Sequence, residues 1–319
     1  MSFNRGQVTA KLKGIMPPCV LPFEENGDVA YSKIPGVVDW YVNAGVHGLT
    51  PLGSLGEGHV VSDAEVTNVM TAMGEAIDGR VATIAGVISN STKTAIERIK
   101  SVEHLSIDAI QVTPVHYLWA PDENETVEHF RVMAEETGKP LIIYNVIPWN
   151  YLTPETCLRI IDEVPGVIGL KQSQNDLGLL AQLMIGIPDD AIVYSAIDSL
   201  LYLSFKLGAH GSISLFPAFL PQAVVTLWEE VQAGNDQFGM EMHKRMLRLF
   251  RTFDHYPSMV ASVKFLLSQQ GVDAGLPRGP YVNPTEQAKE AMMQALQPLL
   301  PDAISELRRT TSAKGTQAA

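Results

Sequence analysis

The chain has 319 residues, 46% of them hydrophobic and 18% charged, with a formal net charge of −12. Such a composition supplies apolar material for one large α/β domain or two small ones. The acidic balance, with no basic run longer than two residues, argues against a nucleic-acid partner, whose phosphates need clustered Lys and Arg. Cys19 and Cys157 form no C-x-x-C pair, so neither a disulfide framework nor a thiolate metal site is expected. The start, MSFNRGQVTAKLKG, has no apolar core of a signal peptide. No apolar run reaches the ~18 residues of a membrane span. The expectation is a cytoplasmic protein with no membrane partner.

Short apolar runs then alternate with amphipathic stretches. GIMPPCVLPF (14–23) leads into a helical pattern through YSKIPGVVDWYVNAG. GLTPLGS (48–54) precedes a helix opened by Ser62, with Glu65 three residues on in capping-box spacing. VATIAGV (81–87) precedes STKTAIERIKSVEHL, and AIQVTP (109–114) precedes a helix capped by Asp122 with Glu125 behind it. PLIIYNV (140–146) precedes TPETCLRIIDEV, in which Thr153 caps and Pro154 takes the first helical turn. GVIGLKQS (166–173), AIVYSA (191–196) and GSISLF (211–216) complete eight such runs.

Strands alternating with helices at this spacing imply βαβ units and a parallel sheet. Eight units within about 230 residues match an α/β fold of the closed (β/α)8, or TIM, barrel type. The alternative, a doubly wound open sheet, would normally carry a phosphate loop. No G-x-G-x-x-G follows a strand, and GSLGEG (53–58) has the wrong spacing. Beyond residue 217 the strand signal stops and helical patterns follow. The expected organisation is a catalytic barrel over 12–233, a C-terminal helical extension over 234–308 and a disordered tail over 309–319.

A barrel of this kind keeps its active site at the C-terminal ends of its strands. That rule selects Gly53, Ser54 and Leu55; Thr113 and Pro114; Tyr144 and Asn145; Lys171; Ser195 and Ala196; and Ile213 and Ser214. The selection holds one lysine, a phenol and hydroxyls, with no acidic pair. The eight histidines show neither H-x-H nor H-E-x-x-H spacing, so no metal and no other cofactor is expected. A lysine taken out of water is more easily deprotonated, and its free amine adds to ketones. The resulting iminium draws electrons from the adjacent carbon and eases C–C cleavage or loss of water. A neighbouring tyrosine can move the protons. The plainer alternative pairs Lys171 with a carboxylate at the barrel rim.

Five short motifs lie in order on these strands: GSLGE (53–57), VTP (112–114), IIYNV (142–146), GLKQSQND (169–176) and GAHGSIS (208–214). Through them the chain resembles the dihydrodipicolinate synthase/N-acetylneuraminate lyase family over roughly residues 12 to 300. GSLGE is similar to the family's G-[ST]-[ST]-G-E and GLKQSQND to its G-I-K-x-[ST]-x-x-[DN]. The resemblance implies that Lys171 forms the Schiff base, that Tyr144 shuttles protons and that Ser54 hydrogen-bonds the tyrosine. It further implies that the amides from Gly53 to Leu55 hold the carboxylate of a 2-keto acid such as pyruvate, with Ile213 lining its methyl pocket. The implied function is a class I aldolase or lyase joining or cleaving a 2-keto acid and an aldehyde. Dehydration or hydration of a deoxy-keto sugar acid is the alternative on the same scaffold. A homo-oligomer, tetramer or dimer, is also implied.

Departures from the family pattern bear on the substrate. Leu55 stands where a second hydroxyl is usual. TPVHY (113–117) stands where TPYY is common in the synthases, so His116 or Tyr117 occupies the place of a tyrosine that crosses a subunit interface. YNVIPWNYLTPET lacks the arginine that binds the aldehyde partner's carboxylate in the synthases, and Trp149 and Asn150 occupy that region. An asparagine amide suits hydroxyls, and a tryptophan face suits a sugar ring or an aromatic group. The expectation is therefore a neutral, hydroxylated or aromatic electrophile.

Overall fold

Eight parallel strands form the centre of the computed structural model, which describes residues 3–253 and 258–315. They are β1 Gly14–Ile15, β2 Gly48–Leu49, β3 Ala82–Val87, β4 Ala109–Val112, β5 Leu141–Asn145, β6 Val167–Gln172, β7 Ile192–Ser195 and β8 Gly211–Ser212. Each lies within one of the apolar runs. Their order is β1-β8-β7-β6-β5-β4-β3-β2, every neighbour parallel. The seam between β1 and β2 is drawn together by backbone hydrogen bonds from His47 to Ile15, Thr50 to Pro17 and Cys19 to Thr50. The result is a TIM barrel.

Helices surround it: α1 Arg5–Lys11, α2 Ile34–Asn43, α3 Asp63–Ile77, α4 Thr92–Ser101, α5 Glu123–Thr137, α6 Pro154–Glu163, α7 Leu177–Gly186, α8 Leu201–Lys206 and α9 Pro221–Gln232. The C-terminal helices are α10 Asp236–Phe253, α11 Met259–Ser268, α12 Glu286–Leu296 and α13 Pro301–Gly315. The expected caps are present. Ser62 with Glu65 and Asp122 with Glu125 form capping boxes, and Thr153 accepts from Thr156 ahead of Pro154.

The strands are buried on both faces, which is why their runs are continuously apolar rather than alternating. Met16, Ile84, Ile142, Ile168, Ile192 and Ile213 fill the barrel interior. The other face packs against the helices. Helix α1, which the sequence pattern does not announce, closes the bottom of the barrel. Asn4 caps it, Val8 packs on the inner layer, and the Tyr194 hydroxyl reaches the Leu12 carbonyl.

One feature differs from the sequence expectation. Residues 309–315, expected to belong to a disordered tail, continue α13, while 316–319 lie outside the described residues. Ile304, Leu307 and Thr311 are buried at helical spacing, so one face of α13 is held although its sequence is small and polar. Gly86 on β3 marks a close approach of two backbones. A methyl group built there would lie 2.5 Å from the Leu52 oxygen and 2.8 Å from the Gly53 nitrogen. Only a glycine lets the loop after β2 cross so close to β3.

Candidate active site

Lys171 on β6 and Tyr144 on β5 are register partners at the C-terminal ends of adjacent strands. Both are buried, at 5% and 1% exposure. The lysine Nζ lies 4.1 Å from the centre of the tyrosine ring. On its other side the Tyr144 hydroxyl shares a 2.9 Å hydrogen bond with Ser54 Oγ and accepts from the Ser54 amide at 3.4 Å. Burial raises the phenol's pKa, but the charge of Lys171 and the bonds from Ser54 outweigh it, and the phenol lies below its ordinary value. A carboxamide bridge fixes the two strand ends. Asn145 Nδ2 donates to Gln172 Oε1 at 2.8 Å and to the Leu152 carbonyl at 3.0 Å, and the Leu152 amide donates back to Asn145 Oδ1.

Ser54 sits in the turn Gly53–Gly58, ahead of α3. Within the turn the Glu57 amide donates to Ser54 O and the Gly58 amide to Gly53 O, both at 3.1 Å. The amides of Leu55 and Gly56 have no protein acceptor among the described residues. Free amides in a tight turn suit an anion. Ile213 is fully buried in the inner layer, above Ile192 and Tyr194 in the strand direction.

The turn is held from beneath by a buried ion pair. Glu57, fully buried and in the left-handed region at φ 53°, accepts from Lys264 of α11 at 2.8 Å and from the Arg278 amide at 2.9 Å. Lys264 also donates to the carbonyls of Leu21 (2.7 Å) and Leu276 (2.6 Å), so all three of its donors are used. Burial lowers its pKa to about 8 against the opposing pull of Glu57. Arg278 stacks on Phe23 and spends its guanidinium on Glu65, Val60 O and Gly27 O. It locks the C-terminal segment onto the barrel, with four of its five N–H donors bonded within the protein.

The loops after β4 and β5 meet at the rim. Trp149 Nε1 donates to the His116 carbonyl at 2.9 Å and Asn150 Nδ2 to the Val115 carbonyl at 2.7 Å. Their polar donors therefore brace one loop against the other, and what Trp149 presents outward is its ring, 71% exposed. The His116 ring is bonded to the Pro114 carbonyl. Tyr117 is anchored by its amide on Asn90, with its side chain 70% exposed. The structure thus brings Lys171, Tyr144, Ser54, Gly53 and Leu55 together, and places His116, Tyr117, Trp149 and Asn150 on the surrounding loops.

Asp198 lies two residues beyond Ala196, the end of the run AIVYSA. Its carboxylate accepts from the amides of Leu215 and Phe216 at 2.9 and 2.8 Å. Burial raises its pKa to about 6, although those bonds, Ser214 and the charge of Lys171 pull the other way. Gln111 lies inside the apolar run AIQVTP, and its polarity there is the sequence signal that marks it.

A barrel with an amine and a phenol facing each other at its C-terminal rim carries the equipment of a class I lyase. Residues 11–299 match the Dihydrodipicolinate synthetase family, and the chain belongs to that family of Schiff-base aldolase-type lyases. It is similar to the 4-hydroxy-tetrahydrodipicolinate synthase of Archaeoglobus fulgidus, 31% identical over 292 residues, covering 90% of this chain and 98% of that protein. A putative dihydrodipicolinate synthetase from Pseudomonas aeruginosa superposes with a TM-score of 0.85 at 26% identity, over 90% of this chain and 99% of that one. YagE, a prophage protein of the same family from E. coli K12 solved in complex with pyruvate, shares the fold. Its TM-score is 0.85 at 23% identity, over 90% of this chain and 98% of that one. No helix among the described residues is long and apolar enough to cross a membrane.

Proposed function

We propose that this lyase forms a Schiff base between Lys171 and a 2-keto acid of the pyruvate type, and makes or breaks a C–C bond with a neutral hydroxylated or aromatic aldehyde. The observation that carries the reading is the Lys171–Tyr144–Ser54 constellation. The lysine amine adds to the ketone, water leaves, and the iminium withdraws electrons from C3. Loss of a C3 proton gives the enamine, which attacks the aldehyde; cleavage is the reverse. Tyr144, its acidity raised by Lys171, carries protons to and from these centres through Ser54. The free amides of Leu55 and Gly56 hold the carboxylate, and Ile213 bounds the methyl end.

A neutral electrophile is supported by what the rim lacks. No arginine stands in the loop after Tyr144, and the charge of Arg278 is already paired with Glu65. An unpaired carboxylate in a half-dry cleft is costly. The Trp149 ring offers a stacking face instead. The test compares kcat/KM for aspartate semialdehyde with values for neutral aldehydes in pyruvate condensation. Deoxy-keto sugar acids are assayed alongside for water loss. Preference for the semialdehyde overturns the neutral electrophile, and water loss without aldehyde release replaces the aldolase with a dehydratase.

The exposed rim aromatics Tyr117, Trp119 and Trp149, at 70%, 81% and 71% exposure with Leu118 between the first two, suit a contact between copies of this chain. The enzyme is expected to be a homo-oligomer with Tyr117 or Trp119 at the contact. A fully active monomer by light scattering at assay concentration would contradict this.

A further inference from the structure

Gln111 lies on the inner face of β4, paired with Gly86 of β3 and Ile142 of β5. It is fully buried. Neither its Nε2 nor its Oε1 has a hydrogen-bond partner among the described residues. Buried carboxamides are almost always satisfied, and one left open is tolerated where something other than protein meets it. Its position says what that is. A methyl group built on Gly53 would lie 3.3 Å from Gln111 Nε2 and 4.0 Å from the Tyr144 hydroxyl. The amide therefore lies against the first residue of the Gly53–Gly58 turn, near the phenol that packs on Lys171.

We propose that Gln111 is a substrate-contacting residue that recognises the carboxylate of the bound 2-keto acid, with Nε2 donating to a carboxylate oxygen from below while the turn amides donate from above. The proposal rests on the Schiff-base reading and deepens it. Leu55 contributes an amide but no hydroxyl to the same group, and Gln111 supplies a donor from the opposite side. A water entering with the acid donates to Oε1, so both amide atoms are satisfied only in the complex. In the free enzyme the open amide costs stability, a cost accepted where a group is kept for binding.

The experiment measures borohydride trapping of pyruvate as a function of pyruvate concentration, together with the thermal midpoint, in wild type, Gln111→Met and Gln111→Asn. Methionine keeps the side chain's length and removes its polar atoms. Asparagine keeps the amide but withdraws it by one methylene. Half-saturating pyruvate should rise by about tenfold or more in both, the size of one hydrogen bond to a charged group. The midpoint of Gln111→Met without ligand should be equal to or above that of the wild type. Trapping at high pyruvate should still reach completion in the variants. An unchanged half-saturation in either folded variant would overturn the proposal and leave the Schiff base intact, and a lowered midpoint with unchanged half-saturation would make the amide structural. No labelling of the wild type would sink both readings.

Discussion

Removing the Lys264 amine puts the link between the C-terminal helices and the site to a quantitative test. In Lys264→Met, Glu57 remains at 0% side-chain exposure with its charge uncompensated. Breaking one side of a buried pair costs about 3–5 kcal/mol, because the remaining ion has lost its partner and cannot reach water. The carbonyls of Leu21 and Leu276 lose their donor in the same step. Retention of the Arg278 amide bond to Glu57 keeps the loss towards the lower end. Urea denaturation followed by circular dichroism should show a loss of about 3 kcal/mol or more. The double variant Glu57→Gln/Lys264→Met removes the stranded charge and should recover about 1–3 kcal/mol of it, a non-additivity expected of groups in contact. Because Glu57 lies in the turn that carries the free amides, KM for the keto acid should rise in the single variant more than kcat falls. A single-variant loss below about 1 kcal/mol, or strict additivity in the cycle, would refute the reasoning.

Two further outcomes follow from the site. Tyr144→Phe loses one hydroxyl in a packed position, so it should fold normally and lower kcat by about 10²-fold or more, the range for a positioned proton carrier; a near-normal kcat removes Tyr144 from the mechanism. Asp198 ionises only as pH rises through about 6, above the ordinary 3.8, because burial disfavours its charge; kcat/KM should therefore climb through that pH as the carboxylate forms near Lys171, and the climb should be absent in Asp198→Asn.

The barrel was readable because a parallel strand covered on both faces leaves a mainly apolar run, and eight such runs lie in order. The caps at Ser62, Asp122 and Thr153 were readable because capping is local in sequence. Lys171 and Tyr144 stood out as polar residues closing apolar strands. What stayed hidden depends on distant contacts. Glu57 lay inside the GSLGE motif, but its partner Lys264 is 207 residues away on a helix whose pattern says only that it is amphipathic. Asp198 follows its strand by a short turn and faces the site through the amides of Leu215 and Phe216. The roles of Trp149 and Asn150 turn on which carbonyls their N–H groups find, and the sequence does not carry that geometry. Helix α1 is short and its packing face meets the inside of the barrel, so no full amphipathic period betrays it.

The central claim is that Lys171 is the amine that captures the keto acid. Borohydride reduction in the presence of pyruvate, followed by peptide mass spectrometry, tests it most directly. The account predicts one reduced keto-acid unit on the peptide containing Lys171 and none in Lys171→Ala. Undiminished labelling of that variant, or labelling placed on Lys264 or a surface lysine, would contradict it.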